Sequence, residues 1–221
     1  MSTPPKQEVH VNGLFQTPVL ATVLPDSVTL SPALEKIVLA REKSHPSTQH
    51  SNLGGWQSDT EFLSWGGPTA ASLVGQARAL VDRLTADRHG RAVKVDWHIN
   101  AWANVNRLHH GNEYHTHAGC FWSAVYYVAD GGIADDPALG GQLEFADPRG
   151  VGPAMHAPLL AFSFPGGQSL GASESITPRS GMMVIFPSFL SHGVRPYLGK
   201  SVRISIAINF SATPALNPLL A

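Results

Sequence analysis

The chain has 221 residues, a length that barrels and sandwiches fill as one domain, and a domain of that size buries about 70% of its unfolded surface. A formal net charge of −1, with 14% charged residues, excludes the basic footprint that nucleic acid or anionic lipid requires. The single cysteine, Cys120, excludes a disulfide framework and fits a reducing, cytoplasmic compartment, while no apolar run is long enough for a membrane span or a secretory signal.

Residues 1–10 read as a polar tail. Val11 to Leu24 alternates weakly around Pro18 and predicts an edge strand, where proline is tolerated. Ser31-Pro32 has the form of an N-cap followed by proline at the first helical position, predicting a helix to about Lys43 with Leu34, Ile37 and Val38 on its apolar stripe. Residues 44–67 carry two Gly-Gly pairs and read as a long loop of the lid or binding type, with Trp56 and Trp65 exposed. Pro68 opens a second helix to about Arg88, its apolar residues at helical spacing and Gly90 as its stop.

From Val93 the period changes to two. His98, Asn100, Trp102, Asn104 and Asn106 share one face, and Ile99, Ala101, Ala103 and Val105 the other. Further strands are expected at Phe121–Val128 (apolar on both faces, hence central), Gln142–Phe145, Met182–Phe186 and Val202–Phe210, with His192 in the connection Pro187–Pro196. Many short strands after two helices predict a mostly β fold: a double-stranded β-helix, or jelly roll, with two supporting N-terminal helices. The expected organisation is one domain over 1–221, with 1–92 as N-terminal strand, helices and loop, 93–210 as the jelly-roll core, and 211–221 as tail.

The chemistry concentrates in Glu113-Tyr114-His115-Thr116-His117. Strand residues two apart point to one side, so His115 and His117 offer two imidazoles to one ion, with His192 arriving from another strand as a third. Iron(II) in oxygenases is held on one face, which leaves positions open for substrates. On the last strand, Arg203, Ser205, Ala207 and Asn209 oppose the apolar Val202, Ile204, Ile206, Ile208 and Phe210. If the apolar face meets the helices, Arg203 points inward. A buried unpaired charge costs several kcal/mol, so Arg203 requires a carboxylate partner, from the protein or from a ligand. A guanidinium grips a carboxylate bidentately, and Ser205 can add a hydroxyl.

The order NVNRLHHGNEYHTH, SAVYYV, GGQLEF, PRSGMMVIFPSFLSHGVRP and RIS over Asn104–Phe210 resembles the iron(II)- and 2-oxoglutarate-dependent oxygenases, most closely their prolyl-hydroxylase-like branch. The NLGGWQS stretch at 52–58 also resembles a bacterial and phage subgroup of that superfamily. The resemblance implies Fe(II) as metal and 2-oxoglutarate as co-substrate. It places His115 and His192 at the two metal histidines and His117 where the superfamily usually has Asp or Glu. Arg203 with Ser205, Tyr127 and Asn106 match residues that contact 2-oxoglutarate. The implied activity is hydroxylation of a C–H bond in a small molecule or peptide side chain, using molecular oxygen, with the substrate entering past Trp56, Trp102, Asn104 and Gln142. A homodimer is compatible with this reading. Glu113 or Glu144 are alternative sources of the missing carboxylate. A three-histidine cupin dioxygenase independent of 2-oxoglutarate and a non-catalytic jelly-roll binding module remain the alternative functions.

Overall fold

The structure is a computed structural model that describes residues 10, 12–151, 155, 157, 159, 160 and 171–212. The expected N-terminal tail (apart from His10), most of 152–170 and the tail from 213 lie outside the described residues. In chain order the elements are β1 (Leu20–Val23), α1 (Ser27–Ser44), β2 (Asn52–Leu53), β3 (Trp56–Gln57), α2 (Phe62–Trp65), α3 (Gly67–Leu84), β4 (Trp97–Asn106), β5 (Gly111–His115), β6 (Trp122–Ala129), β7 (Leu143–Ala146), β8 (Ser173–Ile176), β9 (Met182–Pro187), β10 (His192–Val194) and β11 (Arg203–Ala212). A 3-10 turn at Pro137–Leu139 precedes β7. Among these helices none is long and apolar enough to cross a membrane.

The strands form two antiparallel sheets, ordered β1-β9-β6-β11-β4-β3 and β2-β5-β10-β7-β8. This is the expected mostly β jelly-roll architecture, with α1 and α3 as its brace. Sequence alternation explains how the first sheet serves two masters. Ile204, Ile206, Ile208 and Phe210 of β11 are fully buried with Ala101, Ala103 and Val105 of β4 against Leu34 and Val38 of α1 and Leu73, Ala77 and Val81 of α3. Each of the Val, Leu, Ile and Phe side chains contributes about 1.5–3 kcal/mol by leaving water, and each Ala methyl less than about 1. The alternate residues of β11 and β4 must then face the second sheet, and the space between the sheets is where the site lies.

Three expectations need correction. First, α1 starts at Ser27, not after Ser31: Asp26 occupies the N-cap position, and Pro32 sits inside the helix on its exposed side. Ser31 is buried, and its hydroxyl lies 2.7 Å from the Tyr126 hydroxyl, so it ties the helix to β6 instead of capping it. Second, residues 44–67 are not a structureless loop. Asn52–Leu53 pairs with β5 in one sheet and Trp56–Gln57 with β4 in the other. Gly54 and Gly55, at φ +63° and +71°, turn the chain from one sheet to the other, and a Cβ at Gly55 would meet the Val105 carbonyl oxygen at 3.0 Å. Only glycine takes that conformation without strain. Third, α3 stops at Leu84, where Thr85 donates its hydroxyl to the Val81 carbonyl (2.7 Å) and accepts the Trp122 indole N–H (3.0 Å). His98, on the same face as Trp102 and Asn104 and paired with Ser211 of β11, is exposed.

Candidate metal centre and co-substrate pocket

His115 ends β5, and His192 begins β10 directly opposite it in register. His117 lies past the strand end, so its position comes from the loop and not from strand alternation; its backbone N–H is fixed on the Ser188 carbonyl (3.0 Å). The three imidazoles converge, with ligand atoms within 4.8 Å of one another, and they are the one such group of metal-ligating side chains found among the described residues. The Nδ1 of His115 lies 2.7 Å from the Glu113 carbonyl oxygen, and that of His192 lies 2.8 Å from the Leu190 carbonyl oxygen. An imidazole that donates its Nδ1 proton to a carbonyl keeps its Nε2 lone pair for a metal, the usual support of a ligating histidine. Burial, with His192 and His115 beside it, holds the His117 imidazole down at about 3. Burial likewise lowers His192 to about 4, against the Leu190 hydrogen bond that favours its charged form. Neutral imidazoles are what a cation needs.

Neither alternative carboxylate joins the triad. Glu144 points to the outer side, where it accepts from Arg195 (2.6 Å) and Ser173 (2.7 Å); the Arg195 guanidinium holds its carboxyl down at about 2. Glu113 lies on the rim and contributes its backbone oxygen, not its carboxylate, to the histidine cluster.

From the triad a narrow slot of about 50 Å³ runs inward between the sheets to Tyr127, Arg203 and Ser205. Arg203 is 1% exposed. It forms no ion pair among the described residues, and its Nε lacks a hydrogen-bond partner. Its guanidinium lies 5.3 Å from the centre of the Tyr127 ring. The Tyr127 hydroxyl is equally buried and equally orphaned, and burial pushes it up to about 12, so it stays a neutral donor. Burial also lowers the Arg203 pKa, which the neighbouring Tyr127, Tyr197 and Asp130 partly oppose. Gly141 closes the wall here, where a Cβ would press on the Arg203 side chain at 3.4 Å and on Ile133 at 2.7 Å. Two buried residues with donors that lack acceptors line a slot that starts at three imidazoles; they fit a dicarboxylic acid bound across the two groups, and the histidine set fits a divalent transition metal.

The outer mouth, about 490 Å³, lies over His115 and His117. Trp102 and Asn104 line the inner slot, and Trp102 the mouth too, its ring 5.7 Å from that of His117. The indoles of Trp56, Trp65, Trp97 and Trp122 donate to His45, Asp59, Asp82 and Thr85 respectively. Among the described residues the indole N–H of Trp102 has no acceptor, and it is open to the cavity. Other expected contacts are not brought there. Trp56 is buried in the helix-side core. Gln142 donates its amide to the Pro137 carbonyl (2.5 Å), because Leu143, its neighbour in β7, is the residue that faces the slot. Asn106 pairs with Arg203 across the strands, but its amide lies beside Gly55, outside the slot.

Sequence reasoning missed Ser51, Gln57, Thr60 and Asn209, all in the wall of the mouth. Asn209 had a signal, since it lies on the face of Arg203 six residues on. The other three reach the mouth only because β2 and β3 are strands. A larger cleft of about 640 Å³ lies between residues 14–19 and β7–β8, with Phe145 and Leu190 in its wall behind His192. It contains no histidine, and the chemistry is in the smaller slot.

Fold and site together fit a non-haem metal oxygenase architecture, with one buried pocket suited to an acidic co-substrate. Residues 100–209 match the family described as "Putative 2OG-Fe(II) oxygenase". Through this segment the chain belongs to the 2OG-Fe(II) oxygenase family; it is an oxidoreductase that uses iron(II), 2-oxoglutarate and molecular oxygen. Solved structures agree on the fold. A prolyl-4-hydroxylase from Pseudomonas putida superposes with a TM-score of 0.61 at 18% identity, over 88% of this chain and 92% of the other. A Trichoplax adhaerens prolyl hydroxylase, in complex with a hypoxia inducible factor peptide fragment, gives 0.60 at 15%, over 87% and 83%. HygX from Streptomyces hygroscopicus, with nickel and 2-oxoglutarate bound, gives 0.54 at 13%, over 90% and 84%. No curated protein sequence matches the chain. The family match decides for the keto-acid-dependent reading over a three-histidine cupin dioxygenase and over a binding module without catalysis.

Proposed function

We propose that the chain hydroxylates a C–H bond of a small molecule or peptide side chain, with His115, His117 and His192 as a three-histidine iron site. The observation that carries this reading is the pair of orphaned donors, Arg203 and Tyr127, at the closed end of the slot that begins at the triad. In the proposed arrangement Arg203 receives the distal carboxylate of 2-oxoglutarate in a charge-assisted fork, with the Tyr127 hydroxyl and Ser205 as additional donors. Bound iron(II) supplies oxidation of the substrate coupled to decarboxylation of 2-oxoglutarate to succinate. The protein's own part is to orient and to exclude water. Sheet one provides the co-substrate grip, sheet two provides His115 and His192, and the β2–β3 crossing walls the mouth, which supports residues 93–210 as the catalytic core with 1–92 as brace and rim. The lone cysteine supports action in the cytoplasm.

The test is to add 2-oxoglutarate to iron(II)-loaded protein under nitrogen. A visible charge-transfer band is expected, followed by succinate on admission of air. Absence of the band with iron bound would overturn the co-substrate assignment, and a band without succinate would overturn the catalytic one.

A further inference from the structure

The mouth over the triad has a chemical polarity that the oxygenase reading does not require. Glu113 is the only Asp, Glu, Lys or Arg among its wall residues, the others being histidines, carboxamides, hydroxyl-bearing residues and Trp102. Within the described residues no cation pairs with the Glu113 carboxylate. On the facing sheet stands Asn209, which is 8% exposed. Ser123, itself buried, donates its hydroxyl to the Asn209 Oδ1 at 2.8 Å. That bond fixes the amide so that Oδ1 is occupied and Nδ2, with two N–H donors, is left for the cavity. No acceptor for Nδ2 exists among the described residues. An amide held by its oxygen, with its nitrogen open to the cavity, presents two donors to whatever binds there.

Asn209 lines the slot at the end remote from Arg203. It is six residues beyond Arg203 on one strand, roughly 20 Å at about 3.3 Å per residue, much further than a five-carbon diacid reaches. It lines both the inner slot and the outer mouth, so it meets whatever lies on the solvent side of the triad.

We infer that the mouth selects a substrate that carries a cationic nitrogen and a neutral hydrogen-bond acceptor, the cation against Glu113 and the acceptor on the Asn209 amide. The half-buried indole of Trp102 lines the same mouth and suits a cation or the chain that carries it. An anionic substrate is disfavoured, because the mouth holds a carboxylate and no Lys or Arg to neutralise a second one. This inference rests on the mouth being the substrate side of the oxygenase.

The test uses zinc-substituted, 2-oxoglutarate-loaded protein and three probes of nearly equal shape: ε-aminocaproamide (cation plus carbonyl), caproamide (carbonyl alone) and adipamic acid (anion plus carbonyl). Binding is read by ligand-observed saturation-transfer NMR, and 2-oxoglutarate affinity is read in the same samples by calorimetry. The cation is expected to bind about threefold to fivefold tighter than caproamide, the range of a solvent-facing ion pair, with adipamic acid weakest. Glu113→Gln is expected to bring the two amides level. Asn209→Ala is expected to weaken both by about twofold to tenfold, the range of one hydrogen bond, while keeping their ratio. Equal binding of cation and neutral probe by the unmodified protein, a preference for adipamic acid, a ratio indifferent to Glu113→Gln, or binding by none of the three overturns the inference. Each of these leaves the oxygenase reading standing if 2-oxoglutarate still binds. Loss of 2-oxoglutarate binding in the unmodified protein strikes the co-substrate assignment instead.

Discussion

Arg203→Met separates stability from function by sign. Arg203 is 1% exposed and has no carboxylate partner among the described residues, and taking such a charge out of water costs several kcal/mol, about 4 as a working figure. Its contact with the Tyr127 ring, at 5.3 Å, returns about 2 kcal/mol in a desolvated setting. The net burden on the protein without co-substrate is therefore about 2 kcal/mol. Methionine has a similar reach, packs against the same walls and carries no charge. The variant is expected to melt about 4–8 °C higher than the parent in the absence of 2-oxoglutarate, at about 2–4 °C per kcal/mol for a chain of this size. With 2-oxoglutarate the order reverses. Two hydrogen bonds to a charged group, at about 1.5–3 kcal/mol each, are lost, so affinity falls roughly 10²–10⁴-fold. The parent, at one hundred times its Kd, gains about 2.7 kcal/mol from ligand, and the variant gains almost none at that concentration. Differential scanning calorimetry with and without 2-oxoglutarate reads both effects in one series. A variant that melts below the parent without ligand, or that keeps its 2-oxoglutarate affinity within tenfold, refutes the reasoning.

Tyr127→Phe removes the other orphaned donor, a hydroxyl, and should leave the ligand-free protein as stable or up to about 1 kcal/mol more stable, while 2-oxoglutarate binding weakens by about 1.5–3 kcal/mol, measured by titration calorimetry. His115→Ala and His192→Ala should each abolish iron retention on a desalting column, whereas His117→Asp, which restores a carboxylate where relatives carry one, should preserve or tighten it. Iron content indifferent to His117→Asp and His117→Ala alike would remove His117 from the ligand set. Gly55→Ala should cost about 1–2 kcal/mol, the left-handed penalty for a residue with a Cβ, aggravated by the 3.0 Å approach to the Val105 carbonyl oxygen. Urea unfolding measures that loss, whereas alanine at Gly75 inside α3, where an added Cβ meets open space, should stabilise by up to about 1 kcal/mol.

Alternation made the inner site legible. On β11 the period of two separates Arg203, Ser205 and Asn209 from the isoleucines without ambiguity, and the structure lays that strand against β4 in the register that the same pattern on Trp102 and Asn104 requires. His192 was legible by chemistry alone, since nothing local foretells that it meets His115. What failed did so where two neighbours compete for one role. Gln142 and Leu143 differ by one position, and the turn after Gly141 gave the slot to Leu143. Trp56 and Gln57 likewise differ by one, and the pairing with β4 put the indole in the helix-side core and Gln57 in the wall of the mouth. Ser31-Pro32 has every local mark of a helix start, but the helix begins where Leu30 can reach the core, and tertiary packing outweighs a cap worth about 1 kcal/mol.

The two faces of β11 tie catalysis to correct folding. A slip of one residue along β4 or β6 would send Ile204 and Ile206 into the slot and thrust the guanidinium of Arg203 among the helices, since strand side chains exchange faces with every step. No intermediate alignment keeps half the function. Any chain that grips its co-substrate has thereby already passed inspection of its central sheet, and turnover becomes a proofreading signal for assembly of the core.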